Sequence, residues 1–320
     1  MQDLMGRSID YLRVSVTDRC NLRCVYCMPP EGIPLLPRQD LLSFEEIERV
    51  CICAAKLGIT KLKLTGGEPL TRQGLPDLAR RLRAIPGIQQ ITITTNGVLL
   101  KEYAQDLAHA GIEIVNISLD SFNPSQFFKI TCRDCFPQVL NGISAALSAG
   151  LQVRINCVPS YASDREDLLS IAKLAKDSPI DVRFIEEMPI GQGHMGTGLS
   201  SQALRSLLVS RYGPLKPTGK KGNGPAVYET LEGFTGRIGF ISAVTEKFCH
   251  CCNRIRLTSS GFLKLCLDSD QGLDLRQLLR DGIGNEELVS LMKEAITHKP
   301  EGHQFGAHHP LPGSMAQIGG

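Results

Sequence analysis

Six short β-rich runs alternate with amphipathic helical stretches over the first 190 residues, and this alternation narrows the choice of fold more than any other feature. The runs are 11–16, 59–64, 90–94, 112–119, 151–158 and 181–186, each rich in Val, Ile, Leu or Thr. Helical patterns cover 75–84, 101–110, 139–149 and 165–177. Another opens at Ser43-Phe44-Glu45-Glu46, which reads as a capping box, and Gly58 stops it. Strict β/α alternation predicts a parallel sheet joined by right-handed crossovers, in the α/β class. Six units suit a doubly wound sheet or an incomplete barrel. The runs carry Arg13, Lys63, Thr94, Ser118, Arg154 and Arg183 among apolar residues. Polar groups on many strands converge on one site in a barrel, so we expect a partial (β/α)6 TIM-like barrel over residues 1–190.

The pattern changes after Met188. Residues 191–320 read as a C-terminal extension with glycine-rich loops, strands at 227–231, 236–240, 254–257 and 262–265 forming a small sheet, and helices at 204–212, 273–280 and 286–296. The last twenty residues read as a tail or extended arm. A formal net charge of +2 gives no field for nucleic acid or an anionic membrane, so any anionic ligand has to be caught by local basic residues. No membrane span or secretory signal is found, which makes the cytoplasm the expected compartment. Twelve cysteines in such a chain read as metal ligands rather than disulfides.

Those cysteines fall into two dense groups. Cys20-Asn-Leu-Arg-Cys24-Val-Tyr-Cys27 follows the first strand directly. Three thiolates can hold three irons of a four-iron cubane and leave the fourth open, as a catalytic centre requires. A structural zinc ion would need a fourth donor, and none stands at a usual spacing. The second group is Cys249-His-Cys-Cys252-Asn-Arg254-Ile255-Arg256, with Cys266 further on. It reads either as a second four-iron cluster on Cys249, Cys252 and Cys266, or as a zinc ribbon completed by His250 or Cys251. Arg254 and Arg256 share one face of an extended strand and make a plausible polyphosphate clamp.

The Cys-x3-Cys-x2-Cys spacing with Tyr26 before the last cysteine resembles the radical S-adenosylmethionine superfamily. Gly66-Gly67-Glu68-Pro69 after the second strand fits the same resemblance. Almost the whole chain resembles one family, the MoaA-type GTP 3′,8-cyclases of molybdenum cofactor biosynthesis. The matching pieces are Gly6-Arg7, Tyr11 to Cys20, Thr65 to Pro69, Thr94-Thr-Asn-Gly97, Asn116 to Asp120, Arg183 to Met188, Cys249 to Arg256 and the terminal Gln317-Ile-Gly-Gly320. The resemblance implies two [4Fe–4S] clusters and S-adenosylmethionine, with Tyr26, Gly67, Ser118 and Met188 contacting that cofactor. For GTP it implies Arg13, Lys63, Thr94, Arg154, Arg254, Ile255 and Arg256, with Arg183 nearby. Lys63 and Arg154 stand where the family usually has Arg and Lys, which keeps charge but not geometry.

The chemistry so implied begins with an external electron donor and a 5′-deoxyadenosyl radical that removes the 3′ hydrogen of GTP. The sugar radical then attacks C8 of guanine. The second cluster holds the purine, the arginines hold the triphosphate, and no side chain acts as a conventional acid or base. The product, (8S)-3′,8-cyclo-7,8-dihydroguanosine 5′-triphosphate, would be handed to cyclic pyranopterin monophosphate synthase, and a homodimer is compatible with this picture. The terminal Gly319-Gly320 would reach into the active site. Rival readings are a peptide-modifying radical enzyme with an auxiliary cluster, or a non-enzymatic iron–sulfur or zinc module. Cys132 with Cys135, Cys51 with Cys53, and His298, His303, His308 and His309 are set aside as incidental thiols, packing residues and a solvated tail.

Overall fold

The computed structural model describes all residues except 161–162, 191, 194–197, 219–223, 306–314 and 320. His308, His309 and Gly320 therefore lie outside the described residues. The six expected strands form as β1 (Tyr11–Ser15), β2 (Lys61–Thr65), β3 (Gln90–Thr95), β4 (Ile114–Ser118), β5 (Gln152–Cys157) and β6 (Asp181–Ile185). The C-terminal half adds β7 (Lys216–Pro217), β8 (Val227–Thr230), β9 (Ile238–Ile241), β10 (Arg254–Leu257), β11 (Phe262–Lys264) and β12 (Gly272–Asp274).

The expected separate small sheet does not exist. All twelve strands make one sheet in the order β12-β11-β10-β1-β2-β3-β4-β5-β6-β9-β8-β7. β10 pairs parallel with β1, and β9 pairs parallel with β6, so the late strands extend the early sheet at both edges. Local sequence pattern identifies a strand but not its neighbour, and here the neighbours are some 240 residues apart.

Parallel sheets covered on both faces usually read as continuous apolar runs, but these strands alternate. Ile255, Leu12, Leu62 and Ile91 lie side by side in register, and Val115 lies beside Val153. All six are fully buried, forming the apolar face that the helices cover. Residues one step along point to the opposite face. There Arg256, Arg13, Lys63 and Thr92 form one lateral row across four strands. Thr94, Asn116, Arg154 and Asp181 form a second, and Ser118, Asn156, Arg183 and Gly239 a third. Arg13 on β1 and Arg183 on β6 feel each other electrostatically. In a flat sheet, strands five places apart would be separated by roughly 24 Å. The sheet therefore curls around its polar face as a partial barrel, with β7 and β12 as its free edges.

The helices include α1 (Phe44–Lys56), α2 (Leu75–Arg83), α3 (Leu100–His109), α4 (Pro124–Thr131), α5 (Phe136–Ser148), α6 (Arg165–Asp177), α7 (Ser201–Tyr212), α8 (Leu275–Arg280), α9 (Asn285–Thr297) and the short α10 (Met315–Ile318). The capping box at α1 is complete: Glu46 N–H donates to Ser43 Oγ at 3.1 Å, and Ser43 N–H donates to Glu46 Oε2 at 2.7 Å. α4 had not been anticipated. Its signal is Asn123-Pro124, in which the Asn side chain accepts from Ser125 and Gln126 and Pro occupies the first turn.

α4 ends on Cys132, the only non-glycine residue with positive φ (55°) among the described residues. An L-residue pays roughly 1–2 kcal/mol for that conformation and glycine does not. Cys132→Gly is expected to raise stability by about 0.5–1 kcal/mol, after allowing for the greater freedom of glycine in the unfolded chain. Anaerobic urea unfolding checks this, and a lower midpoint in the variant would show that the Cys132 side chain contributes more than its backbone costs.

Candidate active site

The loop after β1 carries Cys20, Cys24 and Cys27. It is fixed from three sides. Arg23 donates to the carbonyls of Cys20 and Leu22 at 2.9 and 2.8 Å. The N–H groups of Arg23 and Val25 donate to Thr131 and Ile130 at the end of α4, each at 2.9 Å. Asn96, just past β3, donates to Asn21 at 2.7 Å. Burial pushes Cys20 up to about 12, Cys27 up to about 11 and Cys24 well above its ordinary value. Three half-buried thiols with such a low tendency to ionise suit a donor set that gives up its protons only to a cationic iron core.

The second group sits beside β10. Cys249, Cys252 and Cys266 are half-buried, whereas Cys251 and His250 are exposed. Cys251 Sγ–H donates to the Phe248 carbonyl at 3.4 Å. Among the described residues, no three His, Cys, Asp or Glu side chains stand close enough to share a single metal ion, and this holds for both cysteine groups. Burial pushes Cys252 up, but Lys299, Arg254 and Arg256 outweigh it and the net shift is downward.

The curled polar face joins the two groups. Lys63, Arg183 and Arg256 are buried, and Arg13, Arg154 and Arg254 are partly buried. Burial, then Arg13, Arg183, Arg254 and Arg154, hold Lys63 well below its usual range. Burial first, then Arg254 and Arg183, against a raising influence from Tyr11, leave Arg13 lowered to about 10. Asp181 answers only part of this charge. It is paired with Arg237 and lies 3.7 Å from Arg154 Nε. The Nε atoms of Arg13, Arg154, Arg183 and Arg254 are buried without a hydrogen-bond partner, as are Thr92 Oγ1 and Asn156 Oδ1. Lys63 makes no hydrogen bond or ion pair among the described residues. Such a concentration of unanswered donors fits a polyanion, for which the guanidinium fork is well shaped.

The expected residues are largely brought together, with one correction. Ile255 is fully buried on the apolar face, opposite Arg254 and Arg256, so only its main chain faces a ligand there. Strand alternation requires this of any residue between two inward-facing arginines. Ser118 ends β4 and Met188 lies three residues beyond β6. Tyr26 Oη–H donates to Asp120 Oδ2 at 2.6 Å, and Val158 N–H donates to Asp120 Oδ1 at 2.8 Å. Burial raises Asp120 to about 6. At Gly67 a Cβ would lie 2.4 Å from the Arg19 carbonyl, so only glycine lets these two segments meet. Glu68 is braced by the N–H groups of Leu70 (3.0 Å) and Asn96 (2.6 Å) and by Thr95 Oγ1–H (2.7 Å). A carboxylate has about four acceptor sites, so one remains for an ammonium.

The chain terminus enters the same space. The Gly319 carbonyl accepts from Arg13 and Arg256, each at 3.4 Å, and from Thr65 at 3.2 Å. A Cβ on Gly319 would lie 2.8 Å from Ser15 Cβ. The Ala316 N–H lowers Cys27 against the larger upward push of burial. Sequence reasoning missed Asn116, whose side chain accepts from Arg183, and Asn156. Both lie on the polar face of the same alternating strands, and a strict two-residue count would have found them. The remaining thiols and histidines stand apart. Cys51, Cys53 and Cys157 are buried in the core, Cys132 and Cys135 flank the α4–α5 turn, and His298 and His303 bond to main-chain carbonyls.

Residues 14–175 match the family model described as Radical SAM superfamily, and residues 180–305 match that described as Molybdenum Cofactor Synthesis C. Among solved structures, Streptococcus suis SuiB bound to precursor peptide SuiA superposes with a TM-score of 0.62 over 89% of this chain and 67% of that one. Methylornithine synthase does so with a TM-score of 0.51 over 63% and 62%. At 16% and 19% identity these show the fold alone. A strand-end triad of thiols on a partial parallel barrel thus defines a radical S-adenosylmethionine fold. GTP 3′,8-cyclase of Pelotomaculum thermopropionicum is 44% identical over the full length of both chains, and that of Clostridium perfringens is 43% identical over 95% of each. The chain belongs to the GTP 3′,8-cyclase family.

Two consequences follow for the ligand-free protein. Lys63→Met removes a buried, unpaired charge, so stability in urea should rise by about 1–2 kcal/mol, while stabilisation by added tripolyphosphate should shrink. A variant no more stable than the parent would show that the cation cluster is not self-repelling. Burial lifts Glu68 from an ordinary 4.5 to about 7. A raised carboxyl binds more protons folded than unfolded, so its contribution to stability is lost as pH rises from about 4.5 to about 7. Glu68→Gln should flatten the stability–pH curve in that window, as measured by urea unfolding.

Proposed function

We propose that the protein converts GTP to (8S)-3′,8-cyclo-7,8-dihydroguanosine 5′-triphosphate, the opening step of molybdenum cofactor biosynthesis. The observation that carries this reading is the curled cationic face, with four unpartnered guanidinium Nε atoms, lying between two three-cysteine groups. Full-length identity to curated cyclases supports the same assignment.

In this reading Cys20, Cys24 and Cys27 hold one [4Fe–4S] cluster and Cys249, Cys252 and Cys266 the other. Residues 1–190 serve the radical chemistry and 191–320 the second cluster. Bound together, a cluster on these thiols and S-adenosylmethionine would supply one-electron radical chemistry, the electron through the cluster and the carbon radical from S-adenosylmethionine. The chain's own residues do the rest by placement. Tyr26, Gly67, Ser118 and Met188 would position S-adenosylmethionine, with Glu68 holding the loop that presents Gly67. Arg13, Lys63, Arg154, Arg183, Arg254 and Arg256 would grip the triphosphate, and Thr94 lies in the same polar rows. Fixing both ends of GTP turns an intermolecular encounter into an intramolecular one, the largest contribution a protein makes to this kind of reaction. Burial of the site keeps water from a reactive carbon.

No amino-acid side chain here can deliver the initiating electron, so we assign it to an external donor. We assign the product to cyclic pyranopterin monophosphate synthase. Among the described residues no helix is long and apolar enough to cross a membrane, and a cytoplasmic setting is part of this proposal.

Anaerobically reconstituted protein should hold about eight irons per chain. With reductant and S-adenosylmethionine it should form 5′-deoxyadenosine at a rate that GTP increases severalfold, with a 3′,8-linked product detected by mass spectrometry. About four irons, or deoxyadenosine formation indifferent to GTP, would defeat the reading.

A further inference from the structure

The second thiol group is approached by a cation that neither the substrate nor the reaction accounts for. Lys299 follows α9 and is 5% exposed. Its ammonium donates to the carbonyl of Leu265, the residue before Cys266. The negative groups that it faces are the Cys252 and Cys266 thiols, and its cationic neighbours are Arg7 and Arg256. Among the described residues no carboxylate pairs with it. A buried ammonium in that position is costly unless opposite charge arrives.

The main chain around Lys299 is held separately. Arg7 is buried and uses all five of its N–H donors. Nε donates to Asp3 at 2.6 Å. Nη1 donates to the carbonyls of Cys249 (3.1 Å) and Glu301 (2.8 Å), and Nη2 to those of Lys299 (3.1 Å) and Pro300 (2.8 Å). One guanidinium thus ties the N-terminal segment, the cysteine loop and the arm after α9 into a single frame. The Lys299 backbone is fixed by Arg7, so its side chain is free to serve another purpose.

We infer that Lys299 is the charge partner of the second cluster, a positioning residue whose ammonium offsets the thiolate charge of Cys252 and Cys266. The inference rests on the two-cluster reading above. Three thiolates bring three negative charges into a partly buried site. Arg254 and Arg256 face the polar lumen, where the triphosphate claims them. Arg7 is already paired with Asp3, so among the described residues Lys299 is the unpaired cation that remains for the cluster whether or not substrate is present. A nearby positive charge stabilises the more negative, reduced state of an iron–sulfur cluster and so raises its potential.

The test uses the full chain, reconstituted anaerobically. Lys299→Gln keeps a donor for the Leu265 carbonyl and removes the charge, whereas Lys299→Arg keeps the charge. The Gln variant should melt close to the parent. Its second-cluster midpoint, followed by electron paramagnetic resonance, should fall by about 59 mV or more, the one-electron equivalent of a tenfold shift. Under chelator challenge it should drop from about eight irons towards about four, the first cluster still responding to S-adenosylmethionine. The Arg variant should behave as the parent. A Gln variant with the parent's iron content and potential overturns the inference and leaves the two-cluster reading intact. Loss of the second cluster in both variants, together with a lower melting temperature, also overturns it, because the side chain is then only filling space. A parent that holds only about four irons would remove the reading itself.

Discussion

Repulsion among cations gathered on one face of a sheet is the condition that the rest of this structure has to satisfy. Two like charges about 6 Å apart in a partly buried setting repel by about 3 kcal/mol. Arg13, Lys63, Arg183 and Arg256 all feel at least one other cation of the lumen. The inner face therefore cannot hold the sheet together. Cohesion comes from the other face, where Leu12, Leu62, Ile91, Val115, Val153 and Val182 are fully buried. Each such side chain contributes roughly 1.5–3 kcal/mol on burial. Strict alternation along the strands separates the two tasks: the outer face folds the protein, and the inner face stores unmet charge for a ligand.

The two cysteine groups illustrate different ways of preparing thiols for iron. Around Cys20, Cys24 and Cys27 burial dominates and the thiols are held protonated. Around Cys252 nearby cations outweigh burial and shift the thiol downward, towards easier ionisation. The first loop is braced by Asn96 and Arg23, whereas cations surround Cys252. Net charge and solvent exposure are the main levers on cluster potential, so the two sites are set up for unequal electrochemistry from the outset.

Much of this could be read from the chain before any coordinates. The six strands and the cap of α1 rest on local pattern and local hydrogen bonds, and the spacing of Cys20, Cys24 and Cys27 is itself a local fact. The cationic residues of the inner face were visible because charged side chains inside β-runs are conspicuous. What could not be read was lateral. Nothing within Arg254–Leu257 says that its partner is Tyr11–Ser15, so the strands of the C-terminal half looked like a sheet of their own. The bracing roles of Asp120, Arg7 and Lys299 were hidden for the same reason, since each depends on a residue tens or hundreds of positions away. Ile255 shows a simpler effect: alternation turns the side chain of the middle residue of Arg254-Ile255-Arg256 to the other face and leaves only its main chain towards the lumen.

The pairing of β1 with β10 also sets an order of assembly. As the chain is made, β1 has one edge covered by β2 within about fifty residues, but its other edge waits for Arg254–Leu257. Chains fold N-terminal part first as they are made, and an open strand edge invites pairing with other molecules. Through most of synthesis the nascent protein is thus a sheet with an uncovered flank beside its first three thiols. The strand that closes this flank brings Arg254 and Arg256 with it. Sealing the nascent chain against aggregation and completing its cationic inner face are therefore a single late event.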